Sequence, residues 1–212
     1  MKLQKQNLCN CALLAHSACQ FVGCGSACVN RSSSFNWQYH VIQATRGSRE
    51  GTLYMHRTVT QLWADYLAGQ SPPSPAPIDA PPAWYFCDNE ADANECARLV
   101  LTGRKRATSP SLWFFDNSGE SLPVVGDLNI VTDWSGQAIC IIRTTHVQIL
   151  PFNQITASHA KIEGEGDGSL DWWRKAHWDY YHWELRGTGY QPQPDMPVVF
   201  QQFECIFPSG AA

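Results

Sequence analysis

The chain has 212 residues and lacks any run of about 18 apolar residues, so no segment reads as a membrane-spanning helix. It lacks paired CxxC motifs. The early spacings Cys9-x-Cys11 and Cys24-x3-Cys28 do not make the arrangement that structural zinc prefers. It lacks the Asp-x-[Asp/Asn]-x-[Asp/Asn]-Gly calcium loop. It also lacks a clean apolar core with a small-residue cleavage site near its start, because Cys9, Asn10, Cys11, His16, Ser17 and Cys19 break up residues 8–29. No metal, cofactor, membrane or protein partner is therefore expected.

A net positive body is absent too. Residues 1–54 carry five basic side chains against Glu50 alone, whereas residues 55–212 carry ten basic and eighteen acidic ones. An acidic body does not attract polyanions as a whole, so any nucleic-acid contact needs a local basic patch. Five of the nine cysteines lie in the first 28 residues. Cys87, Cys96, Cys140 and Cys205 stand apart among apolar neighbours and read as buried free thiols of a reducing cytoplasm.

Residues 1–54 read as a disordered extension, or as a stretch upstream of a mis-assigned start, with Met55 as the natural initiator. From there the pattern becomes that of a folded chain. Val59, Leu62, Trp63, Tyr66 and Leu67 follow the i, i+3, i+4, i+7, i+8 spacing of an amphipathic helix closed by Gly69. Six prolines between 71 and 83 make an extended linker, so residues 55–83 divide into a helix and a Pro-rich connection. Asp88 or Asn89 caps a second helix, with Gly103 just beyond its end.

After Gly103 the period changes. Residues 112–115, 128–132, 138–150 and 198–207 are rich in Val, Ile, Phe and Thr and read as strands. Asp133-Trp134-Ser135-Gly136-Gln137 is a hairpin turn. Residues 153–162 read as a short helix, and Ser169 caps a longer one over 170–185. The order is that of an α+β fold.

Three features carry chemistry. In Gly103-Arg104-Lys105-Arg106-Ala107-Thr108-Ser109, a lysine precedes a hydroxyl by three residues. In an extended segment those two side chains point to opposite faces, and the plain reading is a basic cluster at a helix end. Glu163, Glu165 and Asp167 share a glycine-rich turn. They can act as acid, base or cation ligands, or simply form a solvated turn before the Ser169 cap. Trp172, Trp173, Trp178 and Trp183 fall within twelve residues of one helix; at that spacing they pack a core more often than they stack bases. The histidines do not resemble metal ligands: His177 and His182 lie on different faces.

These residues, with Trp84-Tyr85-Phe86-Cys87-Asp88, Pro123-Val124-Val125-Gly126-Asp127, Ile130-Val131-Thr132-Asp133, Ile141-Ile142-Arg143-Thr144-Thr145, Pro151-Phe152 and Pro194-Asp195-Met196-Pro197-Val198-Val199, resemble the ASCH-domain family of the PUA-like superfamily, in its bacterial subgroup. The resemblance spans 56–207, with the ASCH domain itself placed at 84–212. It implies a small mixed β-barrel with helices closing one side of a cleft, and action on RNA or modified nucleosides. Some small members resemble amidohydrolases of N4-acetylcytidine that use a lysine, a threonine and a glutamate; Lys105, Thr108 and Glu163 occupy those positions here. Arg106-Ala107 and the Glu-Gly-Glu-Gly-Asp turn depart from that pattern.

Two functions follow as expectations. In a hydrolase, Thr108 is the nucleophile, Lys105 activates it or holds the oxyanion, and Glu163 tunes Lys105. In an RNA- or nucleotide-binding module, Arg104, Arg106 and Arg143 meet phosphate, Trp113 or Trp134 stacks a base, and Ser109 and Asp133 add polar contacts. A ribonuclease is a third option, disfavoured by the lack of a histidine pair near the motif.

Overall fold

The computed structural model describes residues 56–70 and 79–208 of the chain. The expectations for 1–54, for Met55 as initiator and for most of the proline linker lie outside the described residues.

Helix α1 (Arg57–Ala68) ends at Gly69, and α2 (Glu90–Leu101) begins at Asn89, whose side chain accepts from the Asp92 amide. Glu90 and Asp92 in its first turn suit the positive end of the helix dipole. Strands β1 (Ala83–Trp84), β2 (Ala107–Thr108), β3 (Leu128–Thr132), β4 (Ala138–Pro151) and β5 (Pro197–Phe207) form one sheet in the order β1-β3-β4-β5-β2. The β1–β3 pair is parallel and the other three pairs are antiparallel. Helices α4 (Ala157–Glu163) and α5 (Leu170–Glu184) fall between β4 and β5.

The expected barrel is replaced by an open sheet. Its edge strands β1 and β2 are two residues long and pair only with β3 and β5, so they are too short to meet and close it. The β4–β5 register shifts at Ile141/Ile142 and Thr144/His146, where an extra residue interrupts the ladder.

Helices also cover both faces, not one. Ile130 and Ile141 pack under α1 with Val59 and Trp63. Their chain neighbours Val131, Cys140 and Ile142 pack under α2 with Ala97 and Val100. The period-two alternation of strand side chains produces this split.

Residues 112–115 form a helix instead of a strand: α3 (Leu112–Ser118). Ser111 Oγ accepts from the Phe114 amide at 3.1 Å, Gly119 ends the helix with φ 73°, and Phe114 and Phe115 bury against Val199. Cap chemistry and tertiary burial outweigh the strand propensity of two adjacent phenylalanines. The single helix expected over 153–162 is a 3₁₀ turn (Phe152–Gln154) followed by α4, with Thr156 as its cap.

Candidate functional site

The segment after α2 is extended, and its burial alternates. Lys105, Ala107 and Ser109 are buried, while Arg104 and Arg106 are exposed. Lys105 and Ser109, four apart, therefore share the inner face. Both meet the end of α4. The Arg106 amide donates to Ile162 O at 3.0 Å, which ties this segment to the last turn of that helix.

The glycines of the following turn allow the approach. Gly164 has φ 68°, and a Cβ there would lie 2.2 Å from Arg104 O. Gly166 has φ 51°, and a Cβ there would lie 2.1 Å from the Trp172 ring. Only glycine tolerates both the left-handed backbone and the contact. The tight turn brings Glu163 and Glu165 to one place, whereas Asp167 stays outside and accepts from the Ser169 amide at 2.8 Å.

Four charged groups converge there. Lys105, 1% exposed, donates from Nζ to Glu165 Oε1 and, at 2.8 Å, to Ala107 O. Its Nζ lies 3.8 Å from Glu163 Oε2 and 4.8 Å from the centroid of the Phe86 ring. Glu163, fully buried, accepts at Oε1 from Ser109 Oγ and from Trp173 Nε1, the latter at 2.7 Å. His177 Nε2 lies 3.3 Å from Glu163 Oε2. Its ring stacks on Trp173 at 4.0 Å, and its Nδ1 is 3.0 Å from Trp173 O. A carbonyl only accepts, so Nδ1 carries a proton, and the imidazolium form suits both ring nitrogens. Tyr181 completes the shell by donating to Ser109 O at 2.6 Å.

The charges stabilise one another. Burial alone would push the Lys105 ammonium down, but the carboxylates of Glu165 and then Glu163 outweigh it and hold the pKa well above the ordinary lysine range. Burial would likewise push Glu163 up. The His177 charge, Lys105 and the Ser109 hydrogen bond overcome it and hold the carboxyl down at about 2. Burial lowers His177, and Glu163 more than reverses this, so its pKa is raised.

Above this quartet lies a cavity of about 590 Å³ between α2, the segment before it, β2 and α5. Thr108, Ser109, Glu165 and His177 line it on one side. Trp84, Phe86, Trp172, Tyr180 and Trp183 contribute aromatic rings. Asp88, Asp92, Glu95 and Asp179 add carboxylates, against Arg104 and Arg186. The Thr108 hydroxyl makes no hydrogen bond among the described residues.

Of the residues singled out from sequence, Lys105, Glu163 and Ser109 come together, and Thr108 and Arg104 line the cavity. Arg104 also donates to Gly166 O at 2.6 Å. The others lie outside the cavity lining. Arg106 is exposed. Trp113 stacks on Tyr190 at 4.6 Å. Asp133 accepts from Ser135 and Gln137 within its own turn. Arg143 pairs with Glu204 across β4–β5. Trp134, the other proposed stacking ring, packs on Tyr85 at 4.7 Å.

Sequence reasoning missed Glu165 as the nearest partner of Lys105, and it missed His177. The one available signal for His177 was its place four residues after Trp173 on the same helix face. Among the described residues no cluster of three His, Cys, Asp or Glu is placed to hold a metal, and no helix is long and apolar enough to cross a membrane.

An open α+β sheet with helices on both faces thus carries a polar quartet beneath an aromatic-lined cavity. The chain belongs to the ASCH domain family, of PUA-like fold: the family model matches residues 82–207. It is similar to the ASCH domain from Lactobacillus crispatus JV V101, with 35% identity over 72% of this chain and 96% of that one and a TM-score of 0.65. It is also similar to a protein from Enterococcus faecalis V583, with 34% identity over 71% of this chain and 88% of that one and a TM-score of 0.63. No curated protein matches the chain.

Proposed function

We propose that the cavity binds one modified nucleoside and hydrolyses an N-acyl amide on its base, of the N4-acetylcytidine type. The observation that carries this reading is the unbonded Thr108 hydroxyl, which lines the same cavity as Glu165, itself held by the buried Lys105 ammonium. The cavity volume lies within the usual range for small-molecule sites, roughly 300–1,000 Å³.

Thr108 Oγ1 attacks the acyl carbon and passes its proton to Glu165, which relays it to the departing amine. Water then attacks the threonyl ester, releasing the carboxylic acid and restoring the hydroxyl. Lys105 is held charged, so it does not act as a base. With His177 it places positive potential beneath the cavity, where the oxyanion develops. Glu163 keeps both cations in position.

Carboxylates outnumber arginines around the cavity, which suits a neutral nucleoside better than a phosphate chain. The RNA-binding alternative is weakened because Arg143 is paired with Glu204, and Trp113 and Trp134 already pack on Tyr190 and Tyr85. The free-thiol content of the domain suits a reducing cytoplasm.

Incubation of purified protein with N4-acetylcytidine should yield cytidine and acetate. Unchanged substrate at high protein concentration would end this reading, and binding of RNA oligomers that weakens steeply with salt would favour the alternative.

A further inference from the structure

Cys87 and Cys96, nine residues apart, look isolated in the sequence but meet in the fold. Their sulfurs are 3.6 Å apart. Both line the cavity; Cys87 is partly exposed and Cys96 is buried in α2. Cys87 is the sole non-glycine residue with positive φ among the described residues, at 63°. A left-handed backbone is uncommon for a residue other than glycine, asparagine or aspartate. Here it accompanies the placement of the Cys87 sulfur against Cys96. The Cys96 thiol in turn donates to Glu165 Oε1 at 3.7 Å, the oxygen that also holds Lys105. Glu165 Oε1 thus accepts from both the Cys96 thiol and the Lys105 ammonium, which links the cysteine pair to the buried cation.

We propose that Cys87 and Cys96 are a redox modification site, a thiol pair that a low-molecular-weight disulfide converts to an intramolecular disulfide. The partly exposed Cys87 sulfur attacks the small disulfide and expels one thiolate, leaving a mixed disulfide. Cys96, already in contact, attacks the Cys87 sulfur and expels the second thiolate. The protons of the two cysteines end on the two released small thiols. Two protein thiols are oxidised and one small disulfide is reduced. Oxidation removes the Cys96 S–H from Glu165, so the modification is felt at the carboxylate that fixes Lys105.

The test is peptide mapping of the full-length protein after equilibration with oxidised glutathione, with free thiols blocked by alkylation. The expected result is a peptide pair linking Cys87 to Cys96, reversed by dithiothreitol. The link should be lost in Cys96→Ser and kept in Cys140→Ser. Three results would overturn the proposal: a stable glutathione adduct on Cys87 with Cys96 alkylated, both residues alkylated without oxidation, or Cys87 joined to a different cysteine. Mapping requires no turnover, so its failure and the failure of the hydrolase reading are separate outcomes.

Discussion

Glu163 Oε2 lies 3.3 Å from His177 Nε2 and 3.8 Å from Lys105 Nζ, yet it has no aligned hydrogen bond to either. The contact is electrostatic, between one buried carboxylate and two cations, buried Lys105 and partly exposed His177. The other oxygen of Glu163 is anchored by Ser109 and Trp173. Its orientation is therefore fixed by neutral donors, while its charge compensates the cations.

Replacing Glu163 with glutamine leaves Lys105 and His177 facing each other with Glu165 as the remaining counter-charge. Removing one member of a buried ion pair typically destabilises by about 3–5 kcal/mol. Urea unfolding of Glu163→Gln should show a loss on that scale. Glu165→Gln should be milder, because Glu165 is 17% exposed at the cavity. Equal, small losses in both variants would show that the quartet does not hold the fold together.

The same contact sets a pH window. Glu163 is held near 2, against an ordinary 4.5. Its contribution is full above about pH 4.5 and is lost as pH falls toward 2. His177 is raised above its ordinary 6.5, so its contribution is full below 6.5 and is lost as pH rises through its folded value. Melting temperature should therefore plateau between these limits and decline on both sides. His177→Gln should flatten the alkaline limb and also shrink the acid one, because the His177 charge is the main group holding Glu163 down. A wild-type melting temperature unchanged up to about pH 9 would rule out the imidazolium–carboxylate pair.

The turn glycines make a steric prediction. Gly164→Ala places a methyl 2.2 Å from a backbone oxygen, which cannot swing away as a side chain can. It also meets a left-handed φ of 68°. A loss of about 2–4 kcal/mol is expected from the combined clash and strain. Gly168→Ala shares a positive φ of 76° but meets nothing within 4 Å, so it should lose only about 1 kcal/mol. Thermal denaturation of the two variants separates contact from backbone strain.

Much of this fold was legible because local rules and tertiary structure agreed. The α1 stripe of Val59, Leu62, Trp63 and Tyr66 packs as its spacing implies, and Asn89 and Ser169 cap the helices they were expected to cap. Two of the expectations that failed show what local composition does not encode. Residues 112–115 have strand-like composition but are held helical by the Ser111 cap and by burial on Val199. Barrel closure depends on edge-strand length, which composition does not reveal. At the site, the sequence singles out Lys105 and the family resemblance picks Glu163 from the three carboxylates of its turn, whereas nothing in the sequence singles out His177 or separates Glu165 from its neighbours. Their convergence depends on a turn in which two glycines pack against Arg104 and Trp172. The Cys87–Cys96 contact was hidden for a similar reason: it goes with a positive φ at Cys87.

Thr108 and Ser109 are adjacent hydroxyls with different surroundings, and their variants should separate two roles. Ser109 is buried, and its hydroxyl donates to Glu163, so Ser109→Ala removes a donor from a buried carboxylate and should lower stability by about 1–3 kcal/mol. Thr108 makes no such bond, so Thr108→Val, which keeps its shape, should change stability by less than about 1 kcal/mol. If Thr108 is the nucleophile, Thr108→Val should nevertheless lose at least about 10³-fold in kcat on N4-acetylcytidine, with nucleoside binding kept. Ser109→Ala should retain measurable turnover at temperatures where it remains folded. Steady-state kinetics beside chemical unfolding of both variants decides the matter. Turnover that survives in Thr108→Val and vanishes in folded Ser109→Ala would transfer the attacking role to Ser109, whose proton already points at a carboxylate.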